Sequence, residues 1–358
     1  MLQILPYLPR KPTAKGEIFS ENDYNRGDWY SKSFEGVTFM ASVLVTAAIP
    51  QAAMDILQQA GLDVESYTGD ALITKDELLK RIVGKDYLIT PLSTQVDQDV
   101  IDADPQLKLI ANYGAGFNNI DVAYARKHDI PVTNTPKVST VSTAEVTTGL
   151  IISLAHRIVE GDKLMRTKGF AGWAPLFFLG HELAGKTLGI LGMGQIGQAV
   201  AKRMAAFDMH IIYTQRHPLD AATEGQLNAT FVTLDELLAQ SDILTIHAPL
   251  TPETHHLIGA PQFKQMKNSA CLINAARGPV IDEAALLTAL HDHELAGAAL
   301  DVYEAEPNVD DGFKQLDNVI LTPHVGNATV EARDAMAEIV AKNTVRMAQG
   351  EEPLHVVN

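Results

Sequence analysis

The chain has 358 residues, 46% of them hydrophobic and 20% charged, with 28 Lys and Arg against 44 Asp and Glu for a formal charge of −16. At about 150 residues per domain this length predicts two domains, and the composition excludes collagen, coiled coil and wholesale disorder. So acidic a surface repels phosphate backbones and anionic lipid, which argues against nucleic acid and membrane as partners.

A single cysteine, Cys271, excludes an internal disulfide and a cysteine-built zinc cluster and fits a reducing compartment. No apolar stretch approaches the ~18 residues of a membrane span, and the N-terminus lacks a basic region followed by a signal-peptide core, so the expected location is the cytoplasm. Residues 1–39 stand apart, with prolines at 6, 9 and 12 and no helical or strand period. Their five basic and five acidic residues cancel, so the whole −16 belongs to residues 40–358, yet they carry seven of the 22 aromatics. Two readings stand: translation begins at Met40, or the extension docks on a neighbouring surface.

From Met40 the pattern alternates. Val43–Thr46 reads as a buried strand, Gln51–Ala60 as a helix and Val64–Tyr67 as a strand. A helix opened by a capping box at Thr74–Glu77 follows, then a strand over Asp86–Thr90. Leu107–Asn112 is another apolar run, ended by Gly114, Ala115 and Gly116, and Val122–His128 reads as a helix before Ile130–Thr133. This is an α/β domain with a parallel sheet. The amphipathic stretch Thr143–Arg157 then leads to a second series of strands at Thr187–Leu191, His210–Tyr213, Ile243–Ile246, Cys271–Asn274, Ala298–Asp301 and Val319–Leu321. One last helix, Val330–Gln349, is expected to return to the first domain.

The sharpest signal is GMGQIG at 192–197, between a buried strand and the helix expected over Gln198–Phe207. In that setting Gly192 permits the tight turn, Gly194 lets backbone approach a pyrophosphate and Gly197 allows close packing, with phosphate at the helix N-terminus. An acidic residue for the ribose 2′-hydroxyl belongs at the end of the next strand, about 20 positions on. There the chain reads Gln215, Arg216, His217. A carboxylate would repel a 2′-phosphate whereas a guanidinium can hydrogen-bond it, so the pattern tilts toward NADP(H); a solvated Arg216 with NAD bound is the alternative.

Three further segments end strands: Asn274–Gly278 with Arg277, Ala299–Pro307 with Asp301, Glu304 and Glu306, and Thr322–Gly326 with His324. In open α/β sheets the ligand crevice lies outside the carboxyl ends of the strands, so these groups can converge. His255 and His256 are adjacent and do not converge like a helical i, i+4 pair, and His291 and His293 lack ligand spacing. No metal is expected. Cys271 reads as a small core residue.

The motifs GMGQIG, NAARGPVIDEAAL, GAALDVYEAEP and LTPHVG closely resemble those of the D-2-hydroxyacid dehydrogenase family, across essentially all of residues 40–358. The resemblance implies a homodimer of two-domain subunits, a small 2-oxo or 2-hydroxy acid as substrate and NAD(P) as cofactor, NADPH slightly favoured. The expected fold class is therefore α/β, with a Rossmann-type doubly wound parallel-sheet cofactor domain at 141–327 and a flavodoxin-like substrate domain at 40–140 and 328–358. By the same resemblance the catalytic set falls on Arg277, Glu306 rather than Glu304, and His324. Cofactor contacts fall on Gly192, Met193, Gly194, Gln195, Ile196, Gly197, Gln215, Arg216, His217, Ala275, Ala276, Asp301, Val325 and Gly326. Backbone N–H groups at Gly114, Ala115 and Gly116 join Arg277 on the substrate carboxylate, with a plain turn as the alternative there.

Gly172–Gly180 resembles the stretch before the cofactor loop in glyoxylate and hydroxypyruvate reductases, which points to those substrates. Only 34 residues follow His324, too few for the regulatory domain of many phosphoglycerate dehydrogenases, the next candidates. D-lactate-type activity and a dinucleotide-sensing corepressor-like binding protein complete the alternatives, because the fold alone does not define the reaction.

Overall fold

The computed structural model describes residues 41–358, and the readings made for the N-terminal extension lie outside them. The first series of elements comprises β1 (Ser42–Val45), α1 (Gln51–Gln59), β2 (Asp63–Ser66), α2 (Lys75–Arg81), β3 (Tyr87–Pro91), α3 (Gln98–Asp102), β4 (Leu109–Tyr113), α4 (Val122–Lys127) and β5 (Val132–Thr133). Its five strands are all parallel, in the order β2-β1-β3-β4-β5. That is the flavodoxin-like order. β1, β3 and β4 are buried on both faces, which explains why they read as apolar runs without alternation.

Two helices, α5 (Thr140–Ala155) and α6 (Ile158–Thr167), lead to the second series. It runs β6 (Thr187–Leu191), α7 (Gln195–Ala205), β7 (His210–Thr214), α8 (Ala221–Leu227), β8 (Ala229–Phe231), α9 (Leu234–Gln240), β9 (Ile243–Ile246), α10 (Ala260–Phe263), β10 (Cys271–Asn274), α11 (Glu283–His291), β11 (Gly297–Leu300), α12 (Asp311–Lys314) and β12 (Val319–Leu321). The seven-stranded sheet is parallel, in the order β12-β11-β10-β9-β6-β7-β8. Strand order reverses between β6 and β9, the switch point where doubly wound sheets bind ligands.

The final helix, α13 (Val330–Ala348), packs on α1 and β4 of the five-stranded sheet. Ala53 and Leu57 meet Met336, Ala337, Val340 and Ala341 there, the alanines allowing close approach. Burying Leu57 and Val340 contributes about 2 kcal/mol each. Past α13, Val356 bridges Thr133, and the Asn358 side chain accepts from Val132 N at 2.8 Å and donates to Ile130 O at 2.7 Å. The exposed edge of β5 is thereby covered.

Several local expectations are corrected. The helix expected over Thr143–Arg157 begins at Thr140 and ends at Ala155, because Arg157 adopts a left-handed φ of 56°. Its guanidinium forks onto Glu160 at 2.5 and 2.8 Å and stacks over the Phe178 ring at 4.2 Å. At Thr74 only half of the capping box forms, Thr74 accepting from Glu77 N, while Thr233 and Glu236 make both bonds of a box at the start of α9. The helix expected from Gln198 already begins at Gln195, so half of the glycine fingerprint is its first turn. Among the described residues no helix is long and apolar enough to cross a membrane.

Candidate active site

The three fingerprint glycines meet three different demands. Gly192 has φ of 96°, and a Cβ there would lie 2.7 Å from Ala248 N, so the turn after β6 presses directly on the end of β9. A Cβ at Gly197 would lie 2.3 Å from the Gly192 carbonyl. At Gly194 an added Cβ would meet nothing within 4 Å: the backbone faces open space. Gly194 also caps α7 without a side-chain hydrogen bond, which leaves the N–H groups of the first turn for an anion. This opening fits a dinucleotide pyrophosphate.

Met193 has its side chain buried, and its N–H donates to Gln215 Oε1 at 3.0 Å, while Gln215 Nε2 donates to His217 O at 2.8 Å. The amide at the usual acid's position thus ties the glycine loop to the end of β7. Arg216 and His217 are exposed beside it. Behind the loop, burial pushes the His247 imidazole down to about 4; its Nε2 bonds Thr245 Oγ1 at 3.0 Å and its Nδ1 has no partner among the described residues.

At the end of β10, buried Asn274 folds the turn that presents Arg277, accepting from Ala276 N at 3.1 Å and donating to Arg277 O at 3.0 Å. The Arg277 guanidinium donates to Ala276 O at 2.6 Å and to Asn118 Oδ1 at 3.4 Å. Burial lowers its pKa, with Glu306 pulling the other way. Gly278 lies against the next strand's end, since a Cβ there would sit 2.0 Å from the Tyr303 carbonyl carbon.

Asp301, fully buried after β11, does not open onto solvent: its carboxylate accepts from Thr322 Oγ1 at 2.6 Å and from Val325 and Gly326 N at 2.8 Å. It therefore pins the loop that carries His324, whose own φ is 53°. Tyr303, its phenol pushed up to about 12 by burial, donates to Leu300 O and Thr322 O. Its N–H donates to Glu306 Oε1 at 3.0 Å, and Glu306 Oε2 pairs with His324 Nδ1 at 2.8 Å. Burial raises the Glu306 pKa, but the His324 hydrogen bond and charge, with Tyr303 N–H and Arg277, leave it below the usual carboxylate range.

Arg277, Glu306 and His324 line one cavity of about 760 Å³ together with Tyr113 and Asn119 from the five-stranded domain. Gly116 touches Arg277 so closely that a Cβ would lie 1.6 Å from Nη2. The carbonyls of Gly114, Ala115 and Gly116 all accept hydrogen bonds, from Asn112 Nδ2, Asn134 Nδ2 and, at Gly114, also Thr135 N. The N–H groups of Ala115 and Gly116 find no acceptor among the described residues.

Asn112, Asn119 and Asn274 have no role in the sequence pattern, where their only signal is an amide beside a glycine or arginine turn; the fold buries all three at the site. The expectation for His255 and His256 is corrected: their rings stack at 4.1 Å, because His256 is left-handed (φ 51°) and reaches Glu304 at 2.5 Å. Among the described residues no group of three or more His, Cys, Asp or Glu gathers for a metal.

Fold and cavity together define a dinucleotide-binding α/β protein with an arginine and an acid-braced histidine facing a second α/β domain. Residues 148–326 match the family described as D-isomer specific 2-hydroxyacid dehydrogenase, NAD binding domain. A protein of Staphylococcus haemolyticus named for the 2-hydroxyacid dehydrogenases is 54% identical over 319 residues, covering 89% of this chain and 100% of that one. Among solved structures, a Thermus thermophilus protein is similar at TM-score 0.84 and 41% identity, covering 88% of this chain and 100% of its own. The NADPH-dependent glyoxylate/hydroxypyruvate reductase of Sinorhizobium meliloti, solved with NADP and malonate, is similar at TM-score 0.76 and 31% identity, over 88% of this chain and 96% of its own. The chain belongs to the 2-hydroxyacid dehydrogenase family, oxidoreductases with a Rossmann NAD-binding domain.

Proposed function

We propose that this protein reduces small 2-oxo acids to D-2-hydroxy acids with NAD(P)H, glyoxylate and hydroxypyruvate foremost, in the cytoplasm and as a homodimer. The observation that carries the reading is the 2.8 Å pair between His324 Nδ1 and Glu306 Oε2 in the cavity that also holds Arg277. With Nδ1 held by the Glu306 carboxylate, Nε2 is the nitrogen left to act on substrate. Arg277 forks onto the substrate carboxylate and carbonyl oxygen, aided by the free N–H groups of Ala115 and Gly116. When bound, reduced nicotinamide would supply the hydride for C2. His324 gives its proton to the carbonyl oxygen as negative charge grows there, so the product is a neutral hydroxyl and the imidazole is left uncharged.

The coenzyme is held by the Gly192–Gly197 loop, by Gln215–His217, by Ala275 and Ala276 and by Val325 and Gly326. Asp301 contributes by fixing the last two. NADPH is preferred over NADH, because Gln215 removes the negative charge from the ribose site and Arg216 stands exposed beside it. The Sinorhizobium reductase, named for its NADPH dependence, supports this choice and that of glyoxylate and hydroxypyruvate.

A panel of glyoxylate, hydroxypyruvate, pyruvate and longer 2-oxo acids with NADH or NADPH, followed by loss of reduced-nicotinamide absorbance, tests the reading. The expected optimum is glyoxylate or hydroxypyruvate with NADPH. Absence of turnover with every pair overturns the enzyme assignment in favour of a dinucleotide-sensing protein.

A further inference from the structure

The cavity of about 760 Å³ is lined by charges that are unevenly matched. Five formally charged side chains line it: Arg277, Glu304, Glu306, Lys314 and Arg333. Glu306 is paired with His324, Glu304 with His256 at 2.5 Å and Lys314 with Asp311 at 2.6 Å. Neither arginine forms an ion pair among the described residues.

Arg277 has its task in the reaction, but Arg333 has none. It comes from the opposite side of the cleft, in the first turn of α13, where Thr329 caps the helix by accepting from Ala332 N. The Tyr113 phenol, itself part of the cavity wall, donates to Arg333 O at 2.7 Å and fixes this turn against β4. Arg333 and that phenol line the same cavity. A guanidinium facing a partly desolvated cavity without a carboxylate is costly unless an anion arrives with the ligand.

We infer that Arg333 binds a second anionic group on the substrate, so that 2-oxo acids with a distal carboxylate bridge Arg277 on one domain and Arg333 on the other. This rests on the reductase reading above and adds a substrate class to it. Polar neighbours in the same wall, Ser93, Gln95 and Asn327, suit a solvated carboxylate better than an alkyl tail.

The test compares matched pairs that differ only in the distal carboxylate, oxaloacetate against 2-oxobutyrate and 2-oxoglutarate against 2-oxovalerate, by kcat/KM with saturating NADPH. The wild-type protein is expected to favour at least one diacid over its monoacid by tenfold or more. Arg333→Met is expected to lower that ratio about 10- to 100-fold, the range for a charge-assisted hydrogen bond, and Arg333→Lys to restore part of it. No diacid preference in the wild-type protein overturns the inference, as does an equal loss on both members of each pair in Arg333→Met. Turnover of the wider 2-oxo acid panel by the wild-type protein separates the two levels: absence of turnover with every acid removes the reductase reading, whereas turnover without diacid preference removes only the role of Arg333.

Discussion

Two glycine-bearing loops follow buried strands, Gly192–Gly197 after β6 and Gly114–Gly116 after β4, and each leaves backbone N–H groups without an acceptor among the described residues. In the first, Gly192 and Gly197 are needed because main chain crosses main chain, and the Gln215 amide adds one tie, at Met193 N. The second is held by side chains, with Asn112 and Asn134 drawing its carbonyls away and Asn119 donating to Asn112 Oδ1, Pro91 O and Thr94 O. Main-chain crowding dictates residue type at fixed spacing. Amide bracing can be supplied from anywhere in the fold.

The largest expected effect concerns the group that both loops serve. His324→Ala should lower kcat by about 10²- to 10⁴-fold, the usual range for a general acid, while coenzyme binding measured by nicotinamide fluorescence changes little. A variant that keeps most of its kcat would remove His324 from the mechanism. Next comes a direct contrast of the loops. Gly116→Ala must push the Arg277 guanidinium aside, and a displaced carboxylate clamp predicts a fall in kcat/KM of about 10- to 100-fold without loss of coenzyme affinity. Gly194→Ala places its methyl in open space, so the folded protein keeps its thermal midpoint and weaker coenzyme binding is the expected result. If both substitutions weaken the same ligand, the division of labour between the loops is wrong.

The smallest effect tests the packing behind the first loop. The His247 pKa falls from 6.5 to about 4 on burial, so the unfolded chain binds the proton more readily between these values. Stability is therefore full above about pH 6.5 and declines as pH falls toward 4. Between pH 7 and pH 5 the wild-type protein should lose about 2 kcal/mol more than His247→Gln in denaturant titrations. Parallel curves would mean that the ring is solvated.

This contrast explains what is readable from sequence. β1, β3, β6 and β9 are short apolar runs with turn residues after them, and the glycine fingerprint sits where strand gives way to helix, so sheet and loop are legible. β8, only Ala229–Phe231 and largely exposed, carries no such run and has no counterpart among the expected strands. Asn112, Asn119 and Asn274 look like any asparagine near a turn, because their importance lies in burial and in partners up to 28 residues away. Arg333 is invisible for a related reason: on a helix in an acidic protein it reads as a surface cation, and only the return of α13 to β4 turns it toward the cleft.

Glu304 and Glu306 leave the same short segment in different directions and each meets an imidazole, His256 and His324. The fold thus places a second carboxylate–imidazole pair beside the first, alike in chemistry but tied to Glu283, whose N–H donates to Glu304 Oε1 and whose carboxylate accepts from Glu304 N, instead of to Arg277. In a proton-resolved spectrum the two histidines share solvent, salt and temperature. A 2-oxo acid that shifts His324 more than His256 reports the Arg277 end of the cavity; equal shifts at both report a change common to the two pairs.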